Sequence, residues 1–156
     1  MKQIAIIRIR GKVGLHKEVK DTLNMLRLYR QNQCVVVPSN PSYVGMITKV
    51  KDYVTWGEVN EETLILLLQK RGRLAAKKQL TDDYVKNKVK LDITSFAKEV
   101  FGMKKQLRDV PGLKPFFKLH PPIGGYERKG IKKPFSLGGV LGYRKDKIND
   151  LIKRMV

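Results

Sequence analysis

The chain has 156 residues, 42% of them hydrophobic, and carries 33 basic against 14 acidic side chains for a formal net charge of +19. That length suits one compact domain, or a small domain with an appendage, burying roughly 68 to 70% of its unfolded surface. The charge far exceeds the magnitude of about 2 to 8 that solubility asks of a small domain, so it implies a polyanionic partner.

Ile4 to Ile9 reads IAIIRI, a β-branched run that meets Gly11 and Gly14, and predicts a first strand at about residues 2–10. Val19, Leu23, Leu26 and then Arg30 repeat at helical spacing and predict a helix. Cys34 to Val37 is a second strand, closed by Pro38. Asn40 as cap, Pro41 at the first helical position and the face Tyr43, Ile47, Val50 and Val54 predict a second helix. TWGEV, residues 55–59, is a short third strand. Residues 1–60 are therefore a small α+β unit, strand, helix, strand, helix, strand, with the helices on one face of a sheet.

Residues 61–156 are a mainly helical and irregular basic extension packing on that core. Asn60 with Glu61 and Glu62 starts a helix that ends in the cluster Lys70, Arg71 and Arg73. Thr81 with Asp82 and Asp83 starts another, and Thr94 starts a third through Phe96, Ala97 and Val100 to Phe101. Pro111 and Pro115 break the pattern, and residues 145–156 close the chain as a helix with Ile148, Leu151, Ile152 and Met155 on one face. The charge is spread throughout: 10 basic and 4 acidic groups in residues 1–60, 12 and 7 in 61–110, 11 and 3 in 111–156.

The single cysteine, Cys34, cannot form an internal disulfide and lies in the apolar run CVVV, so it reads as a small buried hydrophobe in a reducing compartment. Met1 and Lys2 lead straight into a strand, with no signal peptide, and the longest apolar run is the five residues Leu64 to Leu68. A cytoplasmic protein without a membrane partner is expected.

The stretch with the strongest functional signal is residues 117–144, FKLHPPIGGYERKGIKKPFSLGGVLGYR. Glycine and proline disfavour helix and regular central strand over most of it. Arg128, Lys129, Lys132, Lys133 and Arg144 stand against one acid, Glu127, with Tyr126, Phe135 and Tyr143 between them. Rings stack on bases while cations meet phosphates, which is what an RNA-packing surface needs.

Other candidates carry less. Gly11-Lys12-Val13-Gly14 matches the GxxG loop of the KH fold, but it lies between a strand and a helix, so it reads as a tight turn that presents Lys12. The pair of helices over residues 81–101 has helix-turn-helix spacing, yet the second offers apolar Phe96 and Ala97 where base contacts belong, so it reads as helix packing. His120 has no acid within six residues. No catalytic constellation, metal-ligand cluster, cofactor motif or small-molecule substrate signature is present.

LKPFFKLHPPIGG (113–125) followed by GGVLGYR (138–144) resembles the C-terminal signature of the archaeal form of the universal large-subunit ribosomal protein called L thirty in bacteria and L seven in eukaryotes. DTLNMLRLYRQNQCVVV (21–37) and PSYVGMITKVKDYVTWGEV (41–59) are similar to its helices and its second and third strands. The resemblance implies a three-stranded antiparallel sheet with two helices on one side, a C-terminal extension that the short bacterial form lacks, and no enzymatic activity. It also implies contact with the large rRNA, a position near 5S rRNA, and neighbouring ribosomal proteins. The long basic N-terminal arm of the eukaryotic form has no counterpart in this sequence.

The expected RNA-binding residues are Arg8, Arg10, Lys12, Arg27 and Arg30 from the core, and His120, Tyr126, Arg128, Lys129, Lys132, Lys133 and Arg144 from the extension. Phe117, Leu119 and Leu141 are expected to anchor the extension on the protein. Two rival readings use the same residues differently: a free-standing RNA-binding module or assembly factor, and a nucleic-acid enzyme built on His120.

Overall fold

A computed structural model describes residues 2–156; Met1, read above as leading into the first strand, lies outside the described residues. The centre of the fold is β1, Gln3–Arg8, every residue of which is buried. It is flanked by β2, Gln33–Pro38, and β3, Val54–Glu58, both antiparallel to it, with Ile6 opposite Val35 on one side and Trp56 on the other. β1 reads as an unbroken apolar run because both of its faces are covered. Ile4 and Ile6 join a core with Leu23, Leu26, Ile47 and Val50. Ala5 and Ile7 join a second core with Leu64, Leu67, Phe96, Phe117, Leu151 and Ile152.

The first core lies under α1, Lys17–Met25, and α2, Pro41–Lys49. Both helices are shorter than their apolar spacing predicts. α1 stops before Arg30 because Arg27 takes a left-handed conformation (φ 61°), closing the helix with paired bonds from Leu28 N–H to Leu23 O and Arg27 N–H to Asn24 O, each 2.9 Å. α2 stops before Val54 because the chain turns at residues 50–53 into β3, and the Tyr53 carbonyl accepts from both Ile9 and Arg10 N–H. Asn40 and Asn60 occupy the N-cap positions predicted for them, but neither side chain makes a capping bond.

The second core is covered by α3, Glu61–Arg71, α4, Asp82–Val89, α5, Ile93–Phe101, and α6, Ile148–Met155. α1 and α2 share one face of the sheet, as expected of the core, and the helices of the extension cover the other. α5 turns Phe96, Ala97 and Val100 into this core, which leaves no recognition helix to present. α6 approaches β3 at Gly57, where an added Cβ would overlap the Lys145 carbonyl oxygen and crowd Ile148. Only glycine allows that contact.

The sheet departs from the three-stranded antiparallel expectation. It has five strands in the order β4-β2-β1-β3-β5, and both additions come from the glycine- and proline-rich extension. β4, Phe117–Lys118, lies antiparallel to β2, and β5, Gly142–Tyr143, lies parallel to β3, so the sheet is mixed. The physical reason is the pair of edges a three-stranded sheet leaves, whose free N–H and C=O groups need partners. Each added strand is two residues long. For β4 the limit is visible: continuing its register would bring Pro115, which has no N–H, opposite Val36.

Candidate nucleic-acid interface

Register fixes which loops share an end of the sheet. β1 finishes at Arg8, opposite the start of β3 at Val54 and beside the start of β2 at Gln33, which in turn is opposite the finish of β4 at Lys118. Residues 9–16, 27–32, 51–53 and 119–133 therefore leave the sheet at one end. That end gathers Arg10, Lys12, Arg27, Arg30, His120, Tyr126, Arg128, Lys129, Lys132 and Lys133 from three of these stretches.

Their environments differ. Lys12, Arg30, His120, Arg128, Lys129, Lys132 and Lys133 are exposed, and among the described residues none of them forms an ion pair. Arg10 stacks over Tyr53, with its guanidinium carbon 5.1 Å from the ring centroid, and so keeps its charge free while its direction is fixed. Arg27 is half-buried at the close of α1. The loop bearing Lys12 has Val13 at its tip, 99% exposed. In the second loop Gly124 and Gly125 both have φ near +76 to +79° and open space around them, so the backbone turns sharply without a side chain in the way.

Three expected contacts belong elsewhere. Arg8 is buried (2% exposed) and donates to three backbone carbonyls, Leu28 O at 2.7 Å, Arg10 O at 2.9 Å and Gly11 O at 2.9 Å. Burial lowers its pKa from the usual arginine value, and its work is to fasten the Lys12 loop to the end of α1. Arg144 is equally buried. Its guanidinium meets Glu127 at 2.8 Å, Thr55 Oγ1 at 2.9 Å and Val140 O at 2.8 Å, and it lies 4.6 Å over the Phe135 ring. Tyr126 is half-buried, donates to Asn32 Oδ1 at 3.1 Å and has its pKa raised by burial, so it holds the loop to the core instead of offering a ring to a base.

Arg144 explains the composition of the extension. The one acid of residues 117–144, Glu127, is bound to Arg144 and lies 3.9 Å from Arg154, so it does not neutralise the exposed cations. Phe117, Leu119 and Leu141 are buried and anchor the segment as expected. Two cations at the same end escaped the sequence reading. Lys118 is exposed between buried Phe117 and Leu119, an alternation visible in the string FKL. Lys51 was hidden by extending α2 too far.

No group of three or more potential metal ligands exists among the described residues, and no helix there is long and apolar enough to cross a membrane. A mixed sheet covered on both faces, with unpaired cations collected at one end, defines a polyanion-binding scaffold protein. Residues 4–54 match the family model described as Ribosomal protein L30p/L7e. The chain is 53% identical over 152 residues to the large ribosomal subunit protein uL30 of Methanococcus vannielii, covering 97% of this chain and 98% of the relative. It is 52% identical over 149 residues to that of Methanopyrus kandleri (95% and 100%) and 51% identical over 154 residues to that of Archaeoglobus fulgidus (97% and 98%). The chain belongs to the uL30 family of large ribosomal subunit proteins, which are structural and not enzymatic.

Proposed function

We propose that this protein is a structural constituent of the large ribosomal subunit, in the cytoplasm, that ties rRNA segments together by phosphate neutralisation and shape. Its ligand is the large rRNA close to 5S rRNA, with neighbouring ribosomal proteins around it. The carrying observation is the collection of acid-free cations at one end of the sheet: exposed Lys12, Arg30, Arg128, Lys129, Lys132 and Lys133, with part-buried Arg10. Residues 1–60 act as the L thirty-like core and residues 61–156 as the extension that covers its second face and brings four of these seven cations to it. His120 is exposed beside them and serves as a further contact, not as a catalyst.

The reading is tested by titrating salt against binding of the purified chain to large-subunit rRNA. If the chain makes about 6 to 10 phosphate contacts, affinity falls roughly 10³- to 10⁵-fold between 50 and 200 mM salt, by analogy with duplex DNA. A flat response overturns it. Sucrose-gradient fractionation after a high-salt wash then separates a constituent, which travels with mature large subunits, from an assembly factor, which is shed.

A further inference from the structure

At the opposite end of the sheet, β1 begins beside the ends of β3 and β5, near the first half of α2. A recess of about 400 Å³ opens there, lined by Lys2, Ile4, Val44, Trp56, Glu58 and Tyr143. Its back wall is the pair Trp56 and Tyr143, adjacent across β3 and β5, with ring centroids 6.3 Å apart and planes inclined at 32°. Tyr143 and Val44 are exposed, and Trp56 is partly so.

The recess holds one ion pair, whose anion is the Glu58 carboxylate. Glu58 Oε2 takes an ion pair from Lys2 Nζ at 2.8 Å, and Glu58 Oε1 accepts from the Tyr143 hydroxyl at 3.3 Å. The lysine and tyrosine bonds hold the Glu58 carboxyl below its ordinary pKa even against partial desolvation, so it is ionised at neutral pH. A phosphate meets repulsion from Glu58 here, and the nearest cation is already committed. As a whole the chain, with 33 basic and 14 acidic groups, repels another basic protein. Two aromatic rings beside an ionised carboxylate are the chemistry that receives a guanidinium: its flat face stacks on the rings while its fork engages both carboxylate oxygens.

We propose that this recess receives an arginine side chain from an extended basic segment of a neighbouring protein. The arginine displaces Lys2 from Glu58. The exchange is favourable because an exposed lysine pair is weak, whereas arginine binds the carboxylate bidentately and stacks as well. Proteins packed within the same polyanion carry basic segments for the same electrostatic reason as this chain does. The proposal does not depend on which RNA the opposite end binds.

Trp56 is the only tryptophan, so its fluorescence reports this recess without a label. The full chain is titrated with the capped tripeptide acetyl-Gly-Arg-Gly-amide, its lysine counterpart, and adenosine monophosphate. A saturable change in Trp56 emission is expected with the arginine peptide, weaker on the order of tenfold in Glu58→Gln, since a hydrogen bond to a charged group is lost. The lysine peptide should bind more weakly and the nucleotide should not saturate. No saturable response, equal binding of the lysine peptide, undiminished binding in Glu58→Gln, or a saturable response to the nucleotide overturns the proposal. Lys2→Met provides a check of opposite sign. It removes the competing ammonium from an exposed position, so arginine binding should tighten; unchanged or weaker binding overturns the exchange.

Discussion

Where β1 finishes, Arg128, Lys129, Lys132 and Lys133 stand exposed without acid partners, whereas where β1 begins, Lys2 is tied to Glu58 and the rings of Trp56 and Tyr143 take the place of free charge. Both ends draw on the same basic composition. The difference lies in where the few acids are placed. Glu127 is turned inward onto Arg144, so that the cation-bearing end keeps its field, while Glu58 is left at the surface and cancels the field locally. A net charge therefore says that a polyanion is bound, but the pairing of individual acids says which face binds it.

The contrast breaks most severely at Arg144. Arg144→Ala strands the acceptors on Thr55 and Val140 and leaves Glu127 only the more distant Arg154, and urea denaturation is expected to show a loss of about 3 kcal/mol. Replacing Arg128, Lys129, Lys132 and Lys133 together with alanine should act in the opposite manner. Folding stability should stay within ~0.5 kcal/mol, while the slope of log affinity for rRNA against log salt falls by about 4, roughly one unit for each cation that meets a phosphate. A quadruple variant that unfolds, or that keeps the full slope, would show that these cations belong to the scaffold.

Gly57→Ala probes the other end. The added methyl group meets the Lys145 carbonyl and Ile148, and forcing α6 away from β3 is expected to cost about 1 to 3 kcal/mol in the same denaturation measurement. It should also disturb Trp56, the neighbouring residue, while leaving the salt slope unchanged. At neutral pH the smallest effect concerns Cys34, whose thiol pKa burial pushes up to about 12. The folded state disfavours the thiolate, so stability is full below the ordinary thiol pKa of about 8.5 and is lost as pH rises toward about 12. In native buffer at pH 8, iodoacetamide should leave Cys34 unmodified until denaturant is added.

The parts of the fold that were legible in sequence are those where one apolar pattern has one structural outcome. IAIIRI and CVVV are strands because β-branched runs of that length, closed by glycine or proline, have few alternatives. β4 and β5 were not legible, because two residues between prolines and glycines carry no period. Their pairing is dictated by the open edges of β2 and β3, far away in sequence. Arg8 could face either way from its strand, and its burial depends on three carbonyls that converge only after the 9–11 turn and the end of α1 have formed. The fate of Arg144 did leave a signal, since the only acid in its segment had six cations to pair with. Nothing in the string said which.

The late arrival of the two short strands has a consequence for synthesis on the ribosome itself. β5 pairs Tyr143 with Trp56, so the outer edge of β3 stays bare until the chain has grown by nearly ninety residues beyond it. At about 5 to 20 residues per second, that is on the order of 4 to 17 s during which the edge of β3 is free to pair with other chains, joined by the edge of β2 until residues 117–118 are made. The nascent protein is thus most prone to self-association before residue 117 emerges. A chain truncated there would retain that state permanently, with the edge of β2 as open as that of β3.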